Sequence, residues 1–184
     1  AVSGKMRQAL AVLADRRTIL TLVGTAALIS VNWWIFIFAV NSGHVLQASL
    51  GYYINPLMSV AVGVIVLREP LGPFRIAAIV LAALGVANQI IAVGQVPWIS
   101  LALATSFTAY GYLRKVAAVD GRIGLFWETS FNLPIAIVGL TILQLNGLGH
   151  FQESPAQALM LMAAGLVTVV PLLLYAIGVR GLHL

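Results

Sequence analysis

The sequence predicts an all-α protein, a polytopic bundle of transmembrane helices forming one membrane domain over residues 1–184, and three observations carry that reading. The first is composition: 61% of the 184 residues are apolar and 8% charged, against about 45–50% and about 25% in a soluble domain. So few charges cannot coat a water-facing surface, and the solvent around most of the chain must be lipid. The second is that apolar residues run on without alternation, in stretches near the roughly 20 residues a helix needs to cross a bilayer, which excludes barrel strands. The third is the placement of the ten basic residues, all of which fall on one side once the spans are drawn.

Six spans follow, at about 18–40, 45–67, 74–93, 97–113, 123–145 and 157–179, after a cytoplasmic segment at 1–17. The first begins after Arg16 and Arg17 and stops at the turn Asn41-Ser-Gly-His44. The second ends at Glu69-Pro-Leu-Gly-Pro73, and the third at Gly94-Gln-Val-Pro97. The fourth runs into Arg114 and Lys115, and the fifth lies between Asp120-Gly121 and Asn146-Gly-Leu-Gly149. The sixth leads to Arg180. Glycine, proline and asparagine at these breaks are turn formers. Lys5, Arg7, Arg16, Arg17, Arg68, Arg75, Arg114, Lys115, Arg122 and Arg180 then share the cytoplasmic side, while the loops at 41–44, 94–97 and 146–156 hold no Lys or Arg. The positive-inside rule therefore places both ends in the cytoplasm, and the basic pI near 10.1 becomes an orientation signal. Trp98 and Trp127 near span ends read as interfacial anchors. The abrupt beginning at Ala1 and end at Arg180-Gly-Leu-His-Leu184 read as those of a fragment.

Catalysis is not expected. There is no cysteine, hence no thiolate nucleophile and no Cys-ligated metal. An intramembrane serine protease needs Ser in a Gly-x-Ser setting and a His at depth, but His44, His150 and His183 lie in loops or the tail. Ser3-Gly4-Lys5 lacks the rest of a phosphate-binding loop. The acids Asp15, Glu69, Asp120, Glu128 and Glu153 are dispersed, so no metal site and no cofactor is expected. No basic patch carries interleaved stacking aromatics, so nucleic acid is not an expected partner.

Polar groups at membrane depth carry the functional signal, because burying them costs free energy unless a partner, cavity or function offsets it. In the second span Gln47, Gly51 and Asn55 recur every four residues on one helical face, beside Tyr52 and Tyr53. Pro56 removes the hydrogen bond to the Tyr52 carbonyl. Either a kink faces a midplane cavity, or Pro56 only bends the helix and Asn55 bonds a neighbouring backbone. The fifth span repeats the pattern with Asn132 and Pro134, and the sixth carries Pro171 with Tyr175. Glu128 is the one carboxylate inside a span; it either titrates or faces a solute, or pairs with Arg122 or Arg114. Asn32, Trp33 and Trp34 in the first span form either one wall of an aromatic pocket or an aromatic belt. Small pairs four apart, Ser59 with Gly63, Ala78 with Ala82 and Ala102 with Ser106, read as close helix packing.

Two blocks carry more than composition. Asn32-Trp-Trp-Ile-Phe-Ile-Phe-Ala-Val-Asn41 followed by Gln47-Ala-Ser-Leu-Gly-Tyr-Tyr-Ile-Asn-Pro-Leu57 resembles the RarD family, the chloramphenicol-sensitivity proteins in the EamA branch of the drug/metabolite transporters. Leu67-Arg-Glu-Pro-Leu71, Ala109-Tyr-Gly-Tyr-Leu-Arg-Lys115, Trp127-Glu-Thr129, Leu133-Pro134 and Ala164-Gly-Leu-Val-Thr-Val-Val-Pro-Leu172 follow in the family's order. Gln47 stands where the family often has an acid. The resemblance implies ten helices in two inverted repeats, of which this chain holds the central six, and the bacterial inner membrane as location.

The expected function is transmembrane transport of small organic metabolites or drugs by alternating access, in the export direction. Substrate contacts fall to Asn32, Trp33, Tyr52, Asn55 and Glu128, with Pro56, Pro134 and Pro171 as flexing points. The expected partners are a small-molecule substrate and the lipid bilayer, with a homodimer left open. The alternatives are a solute channel or a non-transporting membrane scaffold.

Overall fold

The computed structural model describes residues 9–70, 72–94, 96–149 and 154–181, without the side chains at 75, 93, 179 and 180. Lys5, Arg7, His150, Glu153 and His183 lie outside the described residues, as do the side chains of Arg75 and Arg180. The described chain is all helical, with a helical stretch at 9–12 followed by α1 (Arg16–Asn41), α2 (Val45–Ile65), α3 (Pro73–Val93), α4 (Trp98–Val116), α5 (Gly121–Leu145) and α6 (Pro155–Gly181).

Local chemistry sets the helix ends. The Asp15 carboxylate accepts the N–H of Arg17 at 3.1 Å and of Thr18 at 3.3 Å, and the Thr18 hydroxyl donates to it as well. That is an N-cap for α1. The Thr18 hydroxyl first, and the Arg17 N–H next, hold this carboxyl below its ordinary pKa. Asp120 caps α5 in the same way, accepting the Arg122 N–H at 2.9 Å. Helix α3 has Pro73 at its first turn and ends on Gly94 in the left-handed region, φ +69°. Proline costs nothing where the N–H has no helical partner, and glycine alone takes a positive φ freely.

By length and composition α1, α2, α5 and α6 can each cross a membrane, α6 over Pro155–Gly178. In α3 the apolar stretch is Ile76–Ala92, and α4 is the most polar of the six, carrying Ser100, Thr105, Ser106 and Thr108. Large apolar side chains such as Leu81, Leu145, Met160 and Leu166 stand exposed around the helices, which suits a lipid surround and would be untenable in water. The chain is thus a multi-pass membrane protein of helical type.

The described chain divides into two compact units. One joins the chain up to Ala26 with Ala117–Gly181, so it holds the first part of α1 with α5 and α6. Its core is Ala9, Val12, Leu22, Val119 and Ile123, flanked by Trp127 and Phe131. Trp127 stacks on Phe131 with centroids 5.6 Å apart, and its indole N–H donates to the Ala9 carbonyl at 3.0 Å. The ring is partly buried against this core and ties down the chain before α1. Pro134 in α5 and Pro171 in α6 both lie inside continuous helices.

The second unit comprises Ala27–Val116 among the described residues. Helix α2 packs mainly on α4 and also on α3. One apolar cluster is Ala39, Ala48 and Leu103; another is Leu50, Ile54 and Ala104, on which Val86 and Ile90 of α3 rest. Pro56 also lies inside a continuous helix. Of the small residues expected at close helix contacts, Gly63 and Ser106 are buried and Ser59 is half-buried, while Ala78, Ala82 and Ala102 are exposed.

Candidate functional site

The site grows out of the α2–α4 seam. At Gly51 a Cβ would come within 3.2 Å of both the Leu103 Cβ and the Ser100 carbonyl oxygen, so the absence of a side chain lets the helices meet there. Close approach brings short polar side chains into range. The Ser100 hydroxyl donates to the Gln47 carbonyl at 2.5 Å. The Thr108 hydroxyl donates to Asn55 Oδ1 at 3.0 Å, with Ser59 Oγ 3.4 Å away. Residue numbers rise together along both helices in these pairs, so α2 and α4 run parallel.

Helix α1 joins through Asn32. Its Nδ2 donates to the Leu103 carbonyl and to Ser106 Oγ, both at 2.9 Å, and the Ser106 hydroxyl passes its own proton to the Ala102 carbonyl at 2.7 Å. An amide carbonyl already bonded within α4 thereby accepts a second hydrogen bond, a cheap way to satisfy a carboxamide in an apolar bundle. Bonds of this kind between membrane helices contribute about 0.6 kcal/mol on average and up to about 1.7.

Between these contacts lies a cavity of about 60 Å³ lined by Asn32, Ala48, Gly51, Tyr52, Asn55, Leu103 and Phe107. Both carboxamides therefore work on two sides, tying helices and facing the cavity. Tyr52 also meets Phe36 edge on, with centroids 6.1 Å apart and planes at 69°. The volume holds about two waters, since each takes about 30 Å³ in the liquid. An organic solute needs roughly 300–1,000 Å³. In this conformation the site is a polar seam with a nucleus of a pocket. A second hollow, of about 550 Å³, opens between α2 and α3 and is lined by Leu46, Ser49, Leu50, Tyr53, Ala82, Gly85, Val86 and Gln89.

Of the five residues expected at the site, Asn32, Tyr52 and Asn55 line one cavity in the second unit. Trp33 belongs to the same unit but does not line that cavity, and its side chain is 40% exposed. Glu128 belongs to the first unit, on α5, where it is buried. The expectation missed Leu103, Phe107, Ser106 and Thr108, the α4 side of the site. The regular placement of Ser100, Ala104 and Thr108 every four residues is the signal that points to that face. Among the described residues no cluster of His, Cys, Asp and Glu could hold a metal ion.

Residues 4–88 match the model of the EamA-like transporter family. The RarD protein of Escherichia coli is 41% identical over 167 residues, covering 90% of this chain and 56% of that protein. The chain belongs to the RarD family. An uncharacterised transporter of Pseudomonas aeruginosa is 44% identical over 163 residues, 88% of this chain and 54% of its own length. A protein of the same organism described as chloramphenicol-sensitive protein RarD is 35% identical over 144 residues, 78% of this chain and 48% of its own. The chain thus spans about half the length of these RarD relatives. No solved structure matches it.

Proposed function

We propose that this chain is the transport core of a bacterial inner-membrane permease that moves small organic metabolites or drugs outward by alternating access. Its termini in the given stretch face the cytoplasm, and its partners are a small-molecule substrate and the bilayer. The observation that supports the reading best is the cavity bordered by Asn32, Tyr52 and Asn55 inside a bundle whose outside is apolar. Carboxamides and a phenol at bilayer depth fit an uncharged or amphipathic solute, with aromatic contact from Tyr52 and hydrogen bonding from the amides. Because about 60 Å³ admits no such solute, the helices around the cavity must part to load it, as alternating access requires. Pro56, Pro134 and Pro171 are the flexing points in this reading.

The experiment is flux in proteoliposomes made with the complete gene product, over amino acids, nucleosides and chloramphenicol, the last chosen from the description of one relative. Saturable flux of at least one solute is expected, with Asn55→Ala lowering it at least tenfold. Flux unchanged in Asn55→Ala removes the cavity from the mechanism, and the absence of saturable flux for every solute favours a scaffold.

A further inference from the structure

Polar side chains cross the α2–α4 seam at Gln47 and Ser100 (2.5 Å), Asn55 and Thr108 (3.0 Å), Met58 and Thr105 (3.8 Å) and Ser59 and Thr108 (3.4 Å), the shortest contact lying at the Gly51 end. Beyond Ser59 the seam is closed by an ion pair, Glu69 with Lys115. Lys115 is in the last turn of α4, and Glu69 is in the turn between α2 and α3. Their side chains are only 17% and 12% exposed, so the pair is largely withdrawn from solvent screening.

The turn that carries Glu69 is under strain. Arg68 adopts φ +55°, a left-handed conformation unfavourable for a residue with a Cβ. Such conformations persist only where surrounding contacts hold them, and they gather at switch regions. Within the turn Val66 and Leu67 donate to the Val62 carbonyl at 2.9 and 3.3 Å, and the Glu69 N–H donates to the Gly63 carbonyl at 3.0 Å. The charge pair links this turn to α4.

We propose that Glu69 and Lys115 form a releasable latch on the α2–α4 pair, with the Gly51–Ser100 contact as its pivot. When the pair separates, the strained turn relaxes and the helices part from the latch end toward the cavity. The tight end stays shut, because the glycine contact and the 2.5 Å hydrogen bond hold it. The device widens the small cavity from one side only, and Lys115 and Arg68 place that side with the cytoplasmic bases. Its role in gating a solute rests on the transport reading; the latch itself does not.

Hydrogen exchange on the complete protein in lipid nanodiscs tests it without any solute. In Glu69→Gln and in Lys115→Met the amides of Val66, Leu67 and Glu69 should exchange at least tenfold faster, while those in the middle of α5 keep their protection. The charge swap Glu69→Lys with Lys115→Glu should bring the rates back to within about threefold of the original. Unchanged rates in both single variants overturn the latch. So does faster exchange throughout the chain, which would mark a general stabilising contact, and so does a swap that rescues nothing. A protein that shows the latch but no flux leaves this inference standing and removes the transport reading, and the reverse outcome separates them equally well.

Discussion

Thr108 is held by α2 at two points, donating to Asn55 and lying near Ser59. Replacing it by valine keeps the shape, removes the hydroxyl and leaves Asn55 Oδ1 facing an apolar surface. The expected cost is about 0.6–1.7 kcal/mol, read as a lowered midpoint of unfolding in mixed detergent micelles; an unchanged midpoint would show that Asn55 finds another donor. Asn32 and Asn55 were legible in the sequence because a carboxamide in an apolar run is costly whatever its neighbours. Their partners were not. Serine and threonine in a helix usually return their hydrogen bond to a carbonyl one turn back, as Thr21, Thr129, Ser130, Thr141 and Thr168 do here. Nothing in the residue type separates those five from Thr108 and Ser100, which reach across to another helix. Trp127 shows the same limit from the other direction: a tryptophan near a span end fits an interface, and only the fold shows its indole reaching Ala9.

At the scale of the helix, glycines of one type do opposite things. Gly51 is pressed against Leu103 and Ser100, whereas a Cβ at Gly85 of α3 would meet nothing within 4 Å. Gly85→Ala should therefore stabilise the protein by about 0.5–1 kcal/mol, the ordinary gain of removing a flexible residue from a helix. Gly51→Leu should instead destabilise by about 1–3 kcal/mol through overpacking and hold the seam apart. Thermal denaturation in one detergent compares the two; equal shifts of the same sign would mean that the α2–α4 contact is not tight at Gly51. The helices themselves were legible, since continuous apolar runs and Pro, Gly and Asn breaks leave little choice. Which helix touches which was not, because a membrane helix is apolar all round and its periodicity does not announce a partner.

For the whole molecule, one unit joins chain segments distant in sequence, while the described part of the other is the continuous stretch Ala27–Val116, which contains a constraint on topology. Helices α2 and α4 run parallel, with Gln47 beside Ser100 at one end and Glu69 beside Lys115 at the other. A single helix, α3, joins the far end of α2 to the near end of α4. It must therefore travel the full length of the pair in the opposite direction. Its 21 residues, Pro73–Val93, rise about 31 Å at about 1.5 Å each, enough for a hydrocarbon core of about 30 Å. The bases at Arg68, Arg114 and Lys115 mark one end of this parallel pair, and no base marks the other. Alkaline phosphatase fused after His44 or after Gly94 should thus be active, being carried outside, whereas fusions after Glu69 or after Ala117 should be inactive. Equal activity after Glu69 and after Gly94 would mean that α3 does not cross, against the parallel contact of α2 and α4. The reversed pattern, active after Glu69 and inactive after Gly94, would keep the crossing and overturn the orientation drawn from charge.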